Sequence, residues 1–500
     1  MRHTRSAQLL KAMTAVGGSF VVCGLVAAFM SSSALGMRLA LVEDPVVLAS
    51  PLETVPMSQT GDAVPAPLRA NSVPNVVLVI IDALRSDHVS ANGYARPTTP
   101  HLDSLIADQG VTFLDAVSSA PWTFPANAAL MTGRQPSHLG ATGEHLADTL
   151  PIEVETLAEY LHEAGYYTAG FVSNGFVRGG LGFSRGFDHF DDSLHQRPTS
   201  NKATATEVTS LVTGWLQTTW APTVSGSQPL FLFVYYVDPH SWYTPPPPYD
   251  TVYDSTYTGT LTADVYGDGQ DVVSGKIVPT ERDIQHLIAL YDGAITYWDV
   301  YFDVLMARLQ AMGLLSNTLV VVTADHGQMF GEHSKWIHAN SLYEEVIRVP
   351  LLMRYTGVIS AGLSVSMPVQ SMDLMPTILD YAGIPIPPGL HAISLRPLAQ
   401  GQAVSTTRSI YSEMEGFGSV AHFLQWIAPQ DDLRSIQRGD SKLIHDLADL
   451  NKDELYTLRP ATMYETDNLL PAESALAKDM REELWGWFGI RRVNLPSLMK

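Results

Sequence analysis

The sequence predicts an α/β protein: a mostly parallel central sheet sandwiched by helices, with a smaller C-terminal α+β subdomain. Three observations carry this expectation. Continuous apolar, β-branched runs recur along the chain, as strands buried on both faces require. Helical stretches with caps and stops alternate with them, which favours strands joined by crossover helices. Hydrophobic residues make up 46% and charged residues 16% of 500 residues, enough to bury a large core.

The elements follow in order. Arg2, Arg5 and Lys11 precede an apolar run from residue 12 to about 30, followed by Ser31, Ser32, Ser33, Ala34 and Gly36. This fits an export signal over residues 1–37, cleaved or kept as a membrane anchor, with its positive flank in the cytoplasm. The remainder is then exported: periplasmic, extracellular or membrane-anchored. Cys23, the only cysteine, lies in that run, so intrachain disulfides and Cys-based zinc sites are excluded. Residues 38–74 lack periodicity and read as a linker. Residues 76–81 form the first strand, stopping at Asp82. A helix is expected over 100–109, with Thr99 as cap, Pro100 in the first turn and Gly110 as stop. Another runs over 126–132, ending at Gly133, and a third over 153–164, ending at Gly165. Residues 167–172 read as a strand that ends at Ser173-Asn174.

The run 230–237 is a strand ending in Asp238-Pro239-His240. Residues 241–279, rich in Pro, Tyr, Gly and Asp, read as a long surface insertion near the site. Within it Trp242, Tyr243 and Tyr249 could form a stacking rim or pack the loop. A long helix starts near Thr280, which with Asp283 resembles a capping box, and continues toward Met312 and Gly313. Residues 319–323 and 349–353 are further strands, and the first leads into Asp325-His326-Gly327. Residues 75–400 are thus expected to form the main domain. The shorter elements over 401–500, closed by a helix near 475–487, form the smaller subdomain.

The formal charge of −21 repels phosphate backbones and argues against nucleic acid as a partner. An anionic substrate would need a local cation, such as a metal. In open parallel sheets ligands sit at the carboxyl ends of strands. Here three predicted strands end in metal-ligand chemistry: Asp82, Asp238 with His240, and Asp325 with His326. Thr123 precedes a helical stretch, where a hydroxyl meets free N–H groups and a positive dipole end; from the residues alone an ordinary N-cap is the favoured reading.

These residues carry a family resemblance. Asn75 to His88, including Asp82-Ala83-Leu84-Arg85, resembles the first metal-binding strand of sulfatases, and Gly93 to Asp103 the segment after it. Thr123-Phe124-Pro125 through Leu130 to Arg134 resembles the nucleophile motif. Thr323 to Gly327, Gly331-Glu332-His333, His338 and Ser341 to Glu345 resemble the second metal motif. Asp373 to Thr377 and Arg434 to Leu443 resemble later segments, so the similarity spans roughly residues 75–470.

The resemblance implies an alkaline phosphatase-like fold and an enzyme hydrolysing phosphoric or sulfuric esters, or transferring their acid group. It implies Asp82, Thr123, Asp325 and His326 as metal ligands, with Thr123 also the nucleophile and His240 and His338 as leaving-group acids or ligands to a second ion. Arg85, Asn127, His333 and Lys335 are weaker substrate-binding candidates; for Arg85 an ion pair with Asp87 competes. The expected partner is a small anionic ester carried on a sugar or lipid headgroup.

This chain departs from the sulfatase pattern. That family has at position 123 a Cys or Ser that is oxidised to formylglycine, and an Arg at position 127. Thr123 could give only a ketone, and Asn127 replaces the Arg. Ala83 replaces a common Asp, His326 a frequent Asn, and His338 a frequent Lys. One or two divalent ions are expected; fewer carboxylates and more imidazoles favour zinc or manganese, with calcium an alternative. Thr nucleophiles of this kind resemble the phosphodiesterase and phosphoglycol-transferase branches. A sulfatase acting without formylglycine and a binding protein that has lost catalysis are the competing readings.

Overall fold

Each of the long apolar runs folds as a buried strand. With the shorter strands, the order along the chain is β1 (Asn75–Ile81), β2 (Val111–Val117), β3 (Tyr167–Val172), β4 (His189–Asp191), β5 (Leu230–Tyr236) and β6 (Thr318–Ala324). A two-residue hairpin of β7 (Met329–Phe330) and β8 (Trp336–Ile337) follows, then β9 (Arg348–Tyr355), β10 (Leu363–Val365) and β11 (Val369–Gln370). The computed structural model describes residues 73–490 except 143–147, 197–201, 222–227, 263–267, 405–407, 417–430, 459–464 and 471–473. The export signal, Cys23 and nearly all of the 38–74 linker lie outside the described residues. Among the described residues no helix is long and apolar enough to cross a membrane.

The main sheet has nine strands in the order β10-β2-β9-β6-β1-β5-β3-β4, with β11 also pairing with β2. It is mostly parallel, and β9 is the strand that runs against the rest, paired with β6 and β2. Residues 349–353 were expected only as a further strand of a mostly parallel sheet, with no direction assigned. The connection from β6 to β9 carries only the β7–β8 hairpin and a short turn at Glu344–Ile347, not a crossover helix, so the chain returns antiparallel. β2 was not foreseen, because Thr112 and Asp115 break its apolar run.

The helices cover the sheet with sharper boundaries than sequence suggests. Thr280 and Asp283 form the capping box of a 31-residue helix, Glu281–Ala311. The stretch expected at 153–164 is helical only over Leu157–Glu163, because Thr156 and Glu159 close a capping box there. The stretch expected at 100–109 is a three-residue turn, Pro100–Leu102, followed by a wide turn at Asp103–Ala107. Thr99 does not cap it. Asp299 of the long helix accepts from the N–H groups of His101 (2.9 Å) and Leu102 (2.8 Å) instead.

A second, antiparallel sheet holds β12 (Ser409–Met414), β13 (Leu433–Arg438), β14 (Ser441–Asp446) and β15 (Glu454–Thr457), in that order. The helix Ser474–Trp487 packs on it through Ala477, Met480 and Leu484. Hydrogen bonds join this sheet to the main one: Ser412 Oγ donates to Ser118 O (2.6 Å) and Glu413 N–H to Ser119 O (3.0 Å).

Candidate active site

The register of the central strands builds the site. Ile81 of β1 lies level with Ala324 of β6 and Tyr236 of β5. The next residue on each of the first two strands, Asp82 and Asp325, therefore emerges side by side at the carboxyl end of the sheet. His326 follows, and its Nε2 lies 3.5 Å from Asp82 Oδ1 and 3.7 Å from Asp325 Oδ2. Thr123 arrives from the other direction, on the first turn of the helix Thr123–Thr132. Trp122 holds the N-cap position and Thr123 is the first helical residue, so the ordinary N-cap reading of Thr123 does not hold. Its Oγ1 lies 3.3 Å from His326 Nε2. Asp82, Thr123, Asn127, Asp325 and His326 are all buried.

Each group is held from behind. Asp82 Oδ2 accepts from Asn174 Nδ2 (2.6 Å). Asp325 Oδ1 accepts from the N–H of His326 (2.9 Å) and of Ala83 (3.3 Å), and Oδ2 from Tyr235 OH (2.7 Å) and Asn127 Nδ2 (3.0 Å). Asn127 Nδ2 also donates to Thr123 O (2.8 Å), so this amide links the nucleophile candidate's helix to Asp325 rather than reaching for substrate. His326 Nδ1 sits 2.9 Å from Gly327 O; a carbonyl only accepts, so the proton is on Nδ1 and Nε2 offers a lone pair. Gly327 is required here. A Cβ would sit 2.2 Å from Glu345 O, and the close approach lets Gly327 N–H donate to Val346 O (2.6 Å).

The donor set fits a divalent cation. Asp82, Asp325 and His326 present ligand atoms within 4.8 Å of one another. Asp82 Oδ1 is buried with no hydrogen-bond partner. Burial, then the neighbouring Asp325 charge, push the Asp82 carboxyl up to about 8. Among the described residues neither carboxylate pairs with a Lys or Arg. Two abutting buried carboxylates without a cation are costly, and a metal removes that cost.

Two further imidazoles stand beside the centre. The His338 ring lies 4.3 Å from that of His326 and 4.8 Å from that of His240, centroid to centroid. His240 Nδ1 donates to Ser241 O (2.6 Å), and burial pushes its imidazolium down to about 4. Burial and the two neighbouring imidazoles hold that of His338 well below the usual range. Both rings are therefore neutral in the metal-free protein.

Backbone strain collects here too. Among the described residues five non-glycines take positive φ: Ala83, His333, Ser334, Ile337 and Ala339. Ala83 follows Asp82, Ile337 and Ala339 bracket His338, and His333 and Ser334 lie in the loop before them. Each costs roughly 1–3 kcal/mol and persists only where the surroundings over-determine it, a pattern typical of functional sites.

The other candidates lie elsewhere. Arg85 donates to both carboxylate oxygens of Asp87 (2.9 and 2.7 Å), to Glu332 (2.7 Å) and to Gln328 O (3.0 Å), so its ion pairs displace the substrate role. Lys335 Nζ donates to Asn340 O (2.9 Å) within its own loop. His333 stacks on Tyr343 at 3.7 Å and joins Glu345 and Glu465 in a separate cluster. Asp238 accepts from Ala205 N–H (2.7 Å), at the start of the helix Ala205–Trp215, and is no ligand of this centre. Tyr243 is buried and Tyr249 packs on Tyr297, so both pack the insertion instead of forming an open rim. Asn174 and Tyr235 were missed. Asn174 does stand at a predicted strand end, but a search keyed to Asp and His passes over an amide, and Tyr235 reads as core.

Known proteins resemble this chain in sequence and in fold. Residues 74–384 match the family profile described as Sulfatase, and residues 331–487 one described as N-sulphoglucosamine sulphohydrolase, C-terminal. An arylsulfatase of Clostridium perfringens is 26% identical over 438 residues, covering 76% of this chain and 88% of that one. Arylsulfatase K of Mus musculus is 27% identical over 376 residues, 67% of this chain and 66% of that one. Among solved structures, a phosphonate monoester hydrolase from Silicibacter pomeroyi superposes with a TM-score of 0.67 at 24% identity, over 83% of this chain and 95% of that one. A protein solved with its substrate D-glucosamine-2-N,6-O-disulfate gives 0.67 at 20% identity, over 84% and 97%. The two structures establish the shared fold.

Proposed function

The chain belongs to the sulfatase family, and on that premise we propose that it is a metal-dependent ester hydrolase whose attacking group is the Thr123 hydroxyl. The observation that carries this reading is Thr123 Oγ1, at a helix N-terminus, lying 3.3 Å from the Nε2 of His326, the imidazole that clusters with Asp82 and Asp325. Asp82, Asp325, His326 and Thr123 would hold the ion, with zinc or manganese suiting the mixed imidazole and carboxylate donors. When bound, the ion lowers the pKa of the Thr123 hydroxyl and offsets charge on the ester oxygens.

This chain's residues do the rest. A neutral imidazole, His240 or His338, takes the Thr123 proton as Oγ bonds to the central sulfur or phosphorus. The bond from that atom to the alcohol oxygen breaks, and the imidazole returns the proton to the departing oxygen. Water then attacks the central atom, frees the acid and restores the Thr123 hydroxyl. Asn127 and Tyr235 keep Asp325 oriented throughout.

The substrate proposed first is a sulfated sugar. A Bacteroides thetaiotaomicron relative, 29% identical over 234 residues, is an N-acetylglucosamine-6-O-sulfatase. One feature favours a phosphate ester as a second reading. Thr123 carries a single hydroxyl, so its adduct must be cleared by attack at the central atom, as in phosphatases that use a side-chain alcohol.

Elemental analysis together with matched aryl sulfate, phosphate and phosphodiester substrates tests the proposal. Bound metal, turnover, and a covalent adduct mapped to Thr123 are expected. Thr123→Ala should lose at least about 1,000-fold in kcat. No bound metal, no activation by zinc, manganese or calcium, or retained turnover in Thr123→Ala would overturn it.

A further inference from the structure

We propose that Gln328 is a positioning residue that fixes the His338 tautomer, leaving His338 Nε2 as the working atom beside the metal centre. This rests on the reading that His338 takes part in the reaction. Gln328 follows the Asp325-His326-Gly327 turn and is fully buried. Its backbone is pinned on both sides: N–H donates to Glu345 O (2.9 Å) and the carbonyl accepts from Arg85 (3.0 Å). The side chain bridges two segments. Nε2 donates to Tyr243 OH (2.6 Å), and Oε1 lies 2.8 Å from His338 Nδ1.

The chemistry follows from what each atom can do. An amide oxygen only accepts, so His338 Nδ1 must carry the proton. In a neutral imidazole Nε2 is then a bare lone pair, able to take a proton or bind a cation. Among the described residues Nε2 makes no hydrogen bond, while the ring sits against those of His326 and His240. His338 itself lies between Ile337 (φ +60°) and Ala339 (φ +66°), a strained backbone of the kind that persists only where its surroundings over-determine it. Tyr243 supplies the far end of the chain, so the insertion after β5 and the loop after β6 are tied through one amide. The reversed amide would donate to Nδ1 and protonate Nε2, removing the lone pair.

The test compares full-length wild type, Gln328→Met and Gln328→Glu with the aryl sulfate and aryl phosphate substrates. Methionine keeps the volume and removes both hydrogen bonds. Glutamate keeps an acceptor for Nδ1–H. Gln328→Met should lower kcat about 10–100-fold with KM little changed, the usual cost of losing a group that orients an active-site imidazole. Gln328→Glu should return most of that loss. A second readout does not need turnover: 15N spectra of histidine-labelled, zinc-loaded protein should show His338 protonated on Nδ1 alone in wild type and Gln328→Glu, and a mixture of tautomers in Gln328→Met. Wild-type kcat in Gln328→Met, a Gln328→Glu variant as impaired as Gln328→Met, or Nε2 protonated in wild type would overturn the inference. If wild type turns over no ester, the proposed function fails, and the 15N tautomer alone decides for or against Gln328.

Discussion

At the scale of single residues, Asp82 couples metal to stability. In metal-free protein its carboxyl stands at about 8 against an ordinary 3.8, raised first by burial and then by the Asp325 charge. Between those values the folded chain holds a proton that the unfolded chain has released. The stability from this shift is complete below the unfolded value and is lost as pH rises through about 8. Chelated protein should therefore unfold at steadily lower temperature from about pH 5 to about pH 9. Zinc or manganese binds the deprotonated form, so its affinity should rise about tenfold per pH unit up to about pH 8. Differential scanning calorimetry with and without chelator measures both effects. A flat profile in chelator would remove Asp82 as the titrating group.

At the scale of elements, the long helix Glu281–Ala311 buttresses the turn after β1. Tyr291 OH donates to Ala83 O (2.7 Å) and accepts from Arg85 N–H (2.8 Å), clamping the turn in which Ala83 takes φ +58°. Tyr291→Phe leaves both buried backbone groups unpaired, at a cost of about 2–3 kcal/mol measurable by urea unfolding. The same variant should bind metal more weakly, because Asp82 sits on that turn. An unchanged midpoint would show that the helix merely rests on it. The insertion after β5 is strapped to the same helix: Arg282 makes two 2.7 Å bonds to Asp254, and Tyr257 OH donates to Asp283 (2.6 Å). These bonds hold Asp254 and Tyr257 of the insertion against the start of that helix.

At the scale of the molecule, the two sheets share buried charge. Lys442 of β14 lies 2.6 Å from Glu344 and 2.7 Å from Glu465, all three buried. Glu344 belongs to the turn on which Gly327 packs, so this ion pair stands directly behind the metal loop. Lys442→Met should destabilise the protein by about 3–5 kcal/mol, since two buried carboxylates lose their cation. Adding Glu344→Gln should recover part of that loss in a double-mutant cycle. We propose on this ground that residues 401–500 are a dependent subdomain: expressed without them, residues 75–400 should fail to give a cooperative unfolding transition.

Sequence by itself determined the strands, the strand-end acids and the capped long helix, because burial on two faces demands continuous apolar runs and caps demand particular side chains. It also brought forward Asp82, Asp325 and His326 as strand-end residues, while Thr123 stood out through the family resemblance and not through a helix boundary, which was expected at residue 126. Tertiary structure alone decided which of these residues meet. Asp238 has the same strand-end signature as Asp82 and Asp325, yet caps a helix, because its neighbours are the start of Ala205–Trp215 and not the β1–β6 register. Thr123 is a group facing His326 and not an ordinary cap because Trp122 takes the N-cap position and the helix begins at Thr123 itself. Gln328 carries no local pattern, and the strand-end place of Asn174 and the strand place of Tyr235 do not say what their side chains hold. Their roles arise from partners 10 to 92 positions away in the chain, and such contacts are set by packing, which no local pattern encodes.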